Sequence, residues 1–133
     1  MLLENKRIFN VEDNPQNLAI NRMLLETAGA RFFYERWGLD TVNRILEVLP
    51  IDLIILDLQF PNNISGYTVF EKIYAHPQLS DITIIILTAY DPDSRTEEAQ
   101  ANGLKGFMRK PTNPRKFVEQ IKFVLDGGEI WDE

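Results

Sequence analysis

The chain has 133 residues, which fits one domain with a sizeable core and leaves little room for a second. Hydrophobic residues make up 44% and charged residues 26%, an ordinary globular composition. The lack of cysteine excludes a disulfide framework, a thiolate zinc site and a cysteine nucleophile, and the net charge of −6 argues against a domain that grips nucleic acid by its phosphates. In chain order, residues 7–11 read as a first strand. Asn14 then caps a helix with Pro15 at its first position. Leu18, Ala19, Met23, Leu24 and Ala28 mark that helix's apolar face, and Gly29 ends it. Residues 31–36 form an aromatic-rich second strand broken by Gly38. Val42, Ile45, Leu46 and Leu49 recur at helical spacing, so a second helix runs up to Pro50.

Residues 52–57 are a third strand, apolar on both alternating faces, as suits a central parallel strand covered on both sides. Residues 61–66 are a loop, and residues 67–75 a third helix ending near His76-Pro77. Residues 82–87 are a fourth strand. Asp91-Pro92 opens a fourth helix that reaches Asn102-Gly103, and residues 106–109 are a short fifth strand. Asn113-Pro114 repeats the cap-then-proline signal. Phe117, Val118, Ile121, Val124 and Leu125 share one face of the last helix, which Gly127-Gly128 ends. Five strands alternating with five helices predict an α/β fold. It is doubly wound and flavodoxin-like, with a five-stranded parallel sheet of order 2-1-3-4-5 and helices on both faces. The domain is placed at residues 1–126, and residues 127–133 are read as a tail or a cut linker.

Sites in such sheets form outside the carboxyl ends of the strands, at the switch point between strands 1 and 3. Those ends hold Glu12-Asp13, Asp57, Thr88-Ala89 and Lys110-Pro111. Three carboxylates gathered at one rim repel one another, and a divalent cation relieves that repulsion. Carboxylate and carbonyl oxygens without His or Cys suit Mg²⁺, Mn²⁺ or Ca²⁺, and few protein ligands beside water and phosphate is the Mg²⁺ habit. Lys110 offers a point charge for a phosphate and Thr88 a hydroxyl. An Asp carboxylate can itself be a nucleophile and form an aspartyl phosphate.

These residues resemble the response-regulator receiver family of two-component signalling, over roughly residues 6–125. Val11-Glu12-Asp13-Asn14-Pro15 is similar to the family's acidic turn, Asp57-Leu58-Gln59-Phe60-Pro61 to its phosphoacceptor loop, Gly66 to its downstream glycine, and Thr88-Ala89 and Lys110-Pro111 to its other two signatures. The resemblance implies that Asp57 accepts phosphate from a histidine kinase or a histidine phosphotransfer protein. It also implies that Mg²⁺ (or Mn²⁺) is held by Glu12, Asp13, Asp57 and the backbone carbonyl of Gln59. Thr88 and Lys110 would hold phosphoryl oxygens. Phe107 resembles the aromatic switch that turns inward as Thr88 moves, although it reads equally as plain core. The responding face would be the fourth helix, fifth strand and fifth helix. The resemblance implies a signalling domain rather than a classical enzyme, and it allows a phosphorylation-dependent homodimer.

The sequence departs from the family pattern at several points. Glu12 stands where a second Asp is frequent, Phe60 where Met is frequent, and Arg109 where a small residue is usual. The loop of residues 61–66 is one residue longer than usual and lacks an Asp before Gly66. That loop is the support for an alternative, a degenerate receiver that binds partners without phosphorylation. Tyr90 should overhang the site and slow water attack. An aspartyl phosphatase on this fold would want a second Asp two residues after the nucleophile, where Gln59 stands. A flavin protein would want Ser, Thr or Gly after strand 1, where Glu12-Asp13 would repel its phosphate. His76 reads as structural, and Trp37 and Trp131 suggest no role. No apolar run approaches the roughly 18 residues of a membrane span, and no secretory signal opens the chain. A cytoplasmic protein, or a soluble module cut from one, is expected, with no direct contact with nucleic acid or membrane.

Overall fold

A computed structural model describes residues 1–58, 60, 64–110 and 113–131. In chain order the elements are β1 (Arg7–Val11), α1 (Pro15–Thr27), β2 (Arg31–Glu35), α2 (Thr41–Glu47), β3 (Leu53–Leu56) and α3 (Gly66–Ala75). Then come β4 (Thr83–Thr88), α4 (Ser94–Ala101), β5 (Gly106–Arg109), α5 (Pro114–Leu125) and β6 (Ile130–Trp131). The strands form one sheet in the order β2-β1-β3-β4-β5-β6, and every pairing is parallel. The predicted order 2-1-3-4-5 is therefore present, with one strand added beyond β5.

The central strand explains the arrangement. All four β3 side chains, Leu53 to Leu56, are fully buried. Each such side chain contributes about 1.5–3 kcal/mol when removed from water. Ile54 and Leu56 pack with Phe9, Val11, Ile84, Ile86 and Phe107 on one face. Leu53 and Ile55 pack with Ile8, Ile85, Leu87, Phe117 and Ile121 on the other. A strand apolar on both faces can only sit between two helical layers. The caps follow the sequence signals: Asn14 accepts from the amides of Gln16 and Asn17, and Asn113 from those of Arg115 and Lys116. Asp93 and Thr96 form a reciprocal capping box at the start of α4.

Two expectations change beyond the helix ends, where α4 starts at Ser94 with Asp93 as its cap rather than at Asp91-Pro92, and α2 stops at Glu47 rather than reaching Pro50. The buried face of α1 is Leu18, Asn21 and Leu25, whereas Met23 is 59% exposed and Ala19 is also exposed. A count of apolar residues skips Asn21, which is buried because its Nδ2 donates to Asn10 Oδ1 at 3.0 Å. Asn10 in turn donates to the Ile55 carbonyl at 3.1 Å, so the buried amides satisfy each other and the sheet. The second change is β6, which lies within the stretch read as a tail. Two residues are too few for any periodic signal, and only the close approach of β5 makes them a strand.

Candidate functional site

Hydrogen bonds between neighbouring strands bring the predicted residues to one rim. The Asp57 amide donates to the Val11 carbonyl at 3.0 Å, the Glu12 amide to the Glu35 carbonyl at 3.1 Å, and the Lys110 amide to the Thr88 carbonyl at 2.7 Å. These join the ends of β2, β1 and β3 and those of β4 and β5, and the pairing of Leu56 with Ile86 joins the two sets. One carboxylate oxygen from each of Glu12, Asp13 and Asp57 lies within 4.8 Å of the other two. The Lys110 ammonium forms ion pairs with Glu12 and, at 3.4 Å, with Asp57 Oδ2. Glu12 is only 1% exposed, so it is the supporting member of the group; Asp57 and Asp13 are half-buried and face a cleft of about 460 Å³. Asn17, Phe60, Tyr90 and Lys110 also line that cleft.

The electrostatics report the crowding. Burial first, and then the hydrogen bond and negative charge of Asp57, raise the Glu12 carboxyl from 4.5 to about 7 against the pull of Lys110. A single ammonium therefore does not neutralise this cluster. Three carboxylates with no imidazole or thiolate among them suit a hard divalent cation of the Mg²⁺ or Mn²⁺ type. The site's residues fit that ion.

Gly66 sets the loop after β3. A Cβ at this position would lie 2.0 Å from the Asp57 carbonyl oxygen and 2.8 Å from Leu58 Cα. Only glycine lets the first turn of α3 approach the loop so closely, and the Gly66 amide donates to the Leu58 carbonyl at 2.7 Å. The Leu58 amide donates to Asp57 Oδ1 at 2.7 Å, which orients the carboxylate. Thr88 is fully buried, and its hydroxyl accepts from the Tyr90 amide at 3.3 Å. Tyr90 itself is exposed at the cleft, as the sequence suggested. Phe107 is 1% exposed and pairs in register with Ile86 of β4. Gln59 and Pro111, both named from the sequence, lie outside the described residues.

Sequence reasoning missed Arg36 and Glu35. Arg36 Nη2 donates to the Asp13 carbonyl at 3.3 Å, and its guanidinium lies 5.1 Å from the centre of the Trp37 ring. The Glu35 carboxylate accepts from the amides of Trp37 and Gly38 and from the Thr41 hydroxyl, which locks the turn into α2 beside the site. No linear signal marks these two. Their relevance arises because β2 ends beside β1.

The family model described as the response regulator receiver domain matches residues 8–122. This chain belongs to the response-regulator receiver family. Among similar proteins, the polar-differentiation response regulator DivK of Brucella ovis is 32% identical over 120 residues, spanning 90% of this chain and 96% of that protein. The receiver domain of a signal transduction histidine kinase from Syntrophus aciditrophicus is 28% identical, with a TM-score of 0.77 over 92% of this chain and 91% of that one. A receiver domain of a sensor histidine kinase from Pseudomonas aeruginosa is 27% identical, with a TM-score of 0.77 over 93% and 99% of the two chains; its structure has a magnesium ion coordinated in the active-site cleft. A chemotaxis response regulator of Vibrio cholerae, 21% identical at a TM-score of 0.81, shares the fold over 90% of this chain and 98% of that one. The receiver is thus a signalling domain of two-component type, and its family implies histidine kinase partners. No helix among its described residues is long and apolar enough to cross a membrane.

Proposed function

We propose that Asp57 accepts a phosphoryl group from a histidine kinase or histidine phosphotransfer protein, and that this changes the surface formed by α4, β5 and α5 to control a partner. One observation supports this above others: the Lys110 ammonium lies against both Glu12 and Asp57, beside Asp13, at a cleft open to a donor. An oxygen of the Asp57 carboxylate attacks phosphorus as the bond from phosphorus to the donor imidazole breaks. The electron pair of that bond leaves with the imidazole. Lys110 holds one phosphoryl oxygen and the Thr88 hydroxyl is drawn to another, so charge spreading over the transferring group meets a cation and a hydrogen-bond donor. Glu12, Asp13, Asp57 and the backbone carbonyl of Gln59 would hold Mg²⁺ or Mn²⁺, which supplies charge neutralisation when bound. Thr88 and Phe107 then form the switch, because movement of the buried hydroxyl alters the packing beside Phe107 on the neighbouring strand.

The test is incubation of the purified chain with Mg²⁺ and acetyl phosphate, read by intact mass. The expected result is the gain of one phosphoryl group, prevented when EDTA is present from the start and absent in Asp57→Asn. No gain, or a gain that survives Asp57→Asn, overturns the assignment.

A further inference from the structure

The face assigned above to partner control is not bare in this chain. Its central strand, β5, has a second neighbour: Gly106 pairs with Ile130 and Phe107 with Trp131. Three glycines fit the chain to this path. Gly127 turns the backbone after α5 with φ of 102°. A Cβ on Gly128 would fall 2.3 Å from the Phe123 ring of α5. A Cβ on Gly106 would meet the Ile130 carbonyl oxygen at 3.2 Å and Ile85 at 2.9 Å. The Ile130 amide donates to the Lys105 carbonyl at 3.2 Å, and Trp131 packs against the cluster that contains Phe107.

This strand is seated but weakly held. Its ladder has two residue pairs, both its side chains are only half-buried, and the ion pair between Glu129 and Lys105 spans 4.0 Å between half-exposed groups. Short elements of this kind open locally at far lower free energy than the core. Trp131 also lies where it would feel the site. It flanks Phe107, three residues before Lys110 on β5, and Lys110 is tied to Thr88 by a backbone hydrogen bond. Any shift of Thr88 and Lys110 toward a phosphoryl group moves the strand on which β6 rests.

We propose that residues 127–131 are a displaceable strand that closes the β5 edge to partners and is released when Asp57 is phosphorylated. The inference rests on the phosphoacceptor reading of Asp57. The released edge fits an extended segment of a partner that brings one N–H to the Lys105 carbonyl and a large apolar side chain to the place of Trp131.

The test uses the full chain with Mg²⁺ and beryllium trifluoride, an equilibrium mimic of the phosphoryl group, with acetyl phosphate and intact mass in parallel. Amide exchange at Ile130 should accelerate about fivefold or more when the mimic binds. Because coupling is reciprocal, Ile130→Pro and Trp131→Ala should each bind the mimic more tightly by a comparable factor. Ile130→Pro removes the ladder donor and Trp131→Ala the packing, so the two open the strand by independent routes. If the chain gains phosphoryl mass and binds the mimic, yet Ile130 exchange is unchanged or slower, or both variants bind as the parent does, the displaceable strand is overturned and Asp57 stands. If no mass is gained and no mimic binds, the Asp57 reading fails and this proposal falls with it.

Discussion

Glu12→Gln should stabilise the metal-free domain at neutral pH while weakening its response to Mg²⁺. The folded-state value of about 7 lies above the ordinary 4.5, because the group is buried beside Asp57. Between those values the folded chain binds a proton that the unfolded chain has released, so stability falls as pH rises. The favourable contribution is complete below about pH 4.5 and lost by about pH 7. At ~1.4 kcal/mol per pH unit, the gap amounts to ~3 kcal/mol. Glutamine has nearly the shape of the protonated acid and no charge to lose, so the variant lacks this decline. Urea denaturation in EDTA at a series of pH values from 4 to 8 should give coinciding stabilities at the acid end. Near pH 8 the variant should be ahead by up to ~3 kcal/mol. Added Mg²⁺ should stabilise the parent far more than the variant, because binding needs the ionised carboxylate. Parallel pH profiles in EDTA, or a variant less stable than the parent at pH 8, would refute the reasoning.

Lys110→Met removes the cation proposed to hold a phosphoryl oxygen but none of the proposed metal ligands. Phosphoryl uptake from acetyl phosphate should fall by about 10² or more, while Mg²⁺ affinity by titration should not weaken. Gly66→Ala places a methyl group 2.0 Å from the Asp57 carbonyl oxygen. It should lower the urea-derived stability by about 1–3 kcal/mol and slow phosphorylation, and an unchanged midpoint would contradict the close approach. Asn21→Leu strips Asn10 Oδ1 of its donor inside the core. A loss of about 1–3 kcal/mol is expected, and the double variant with Asn10→Leu should cost less than the two single losses combined.

The fold was legible because its signals are local or nearly so. A run such as Leu53 to Leu56 has no polar face to turn outward, so it declares a strand buried on both sides. Asn14-Pro15 and Asn113-Pro114 mark helix starts through a capping side chain and a preset φ, and both caps are made. The face of α1 was misjudged because Asn21 is buried by a bond to Asn10, eleven residues away. A hydrophobicity count cannot weigh a satisfied polar pair. The strand at residues 130–131 was missed for the opposite reason: it has almost no signal of its own, and the glycines that seat it read as a helix stop followed by a tail.

The site was legible through a rule of topology. Parallel strands run in one direction, so the residue that ends each strand meets those that end its neighbours. Glu12, Asp13, Asp57, Thr88 and Lys110 are far apart in sequence, and that rule alone places them at one rim. It cannot say how the charges divide their work, and burial decides that. Glu12 is enclosed and its charge is costly, so it loads the cluster electrostatically, whereas the less enclosed Asp57 faces the cleft, where the proposed phosphoacceptor must be. The same logic accounts for Glu35, which ends β2, and Arg36, which follows it; sequence position alone links neither to the cleft chemistry. They reach it because β2 ends beside the acidic turn: one donates to the Asp13 backbone and the other fixes the turn that follows. A residue that reacts can be found by asking what lies at a strand end. A residue that positions it becomes visible only when the neighbouring strand end is known.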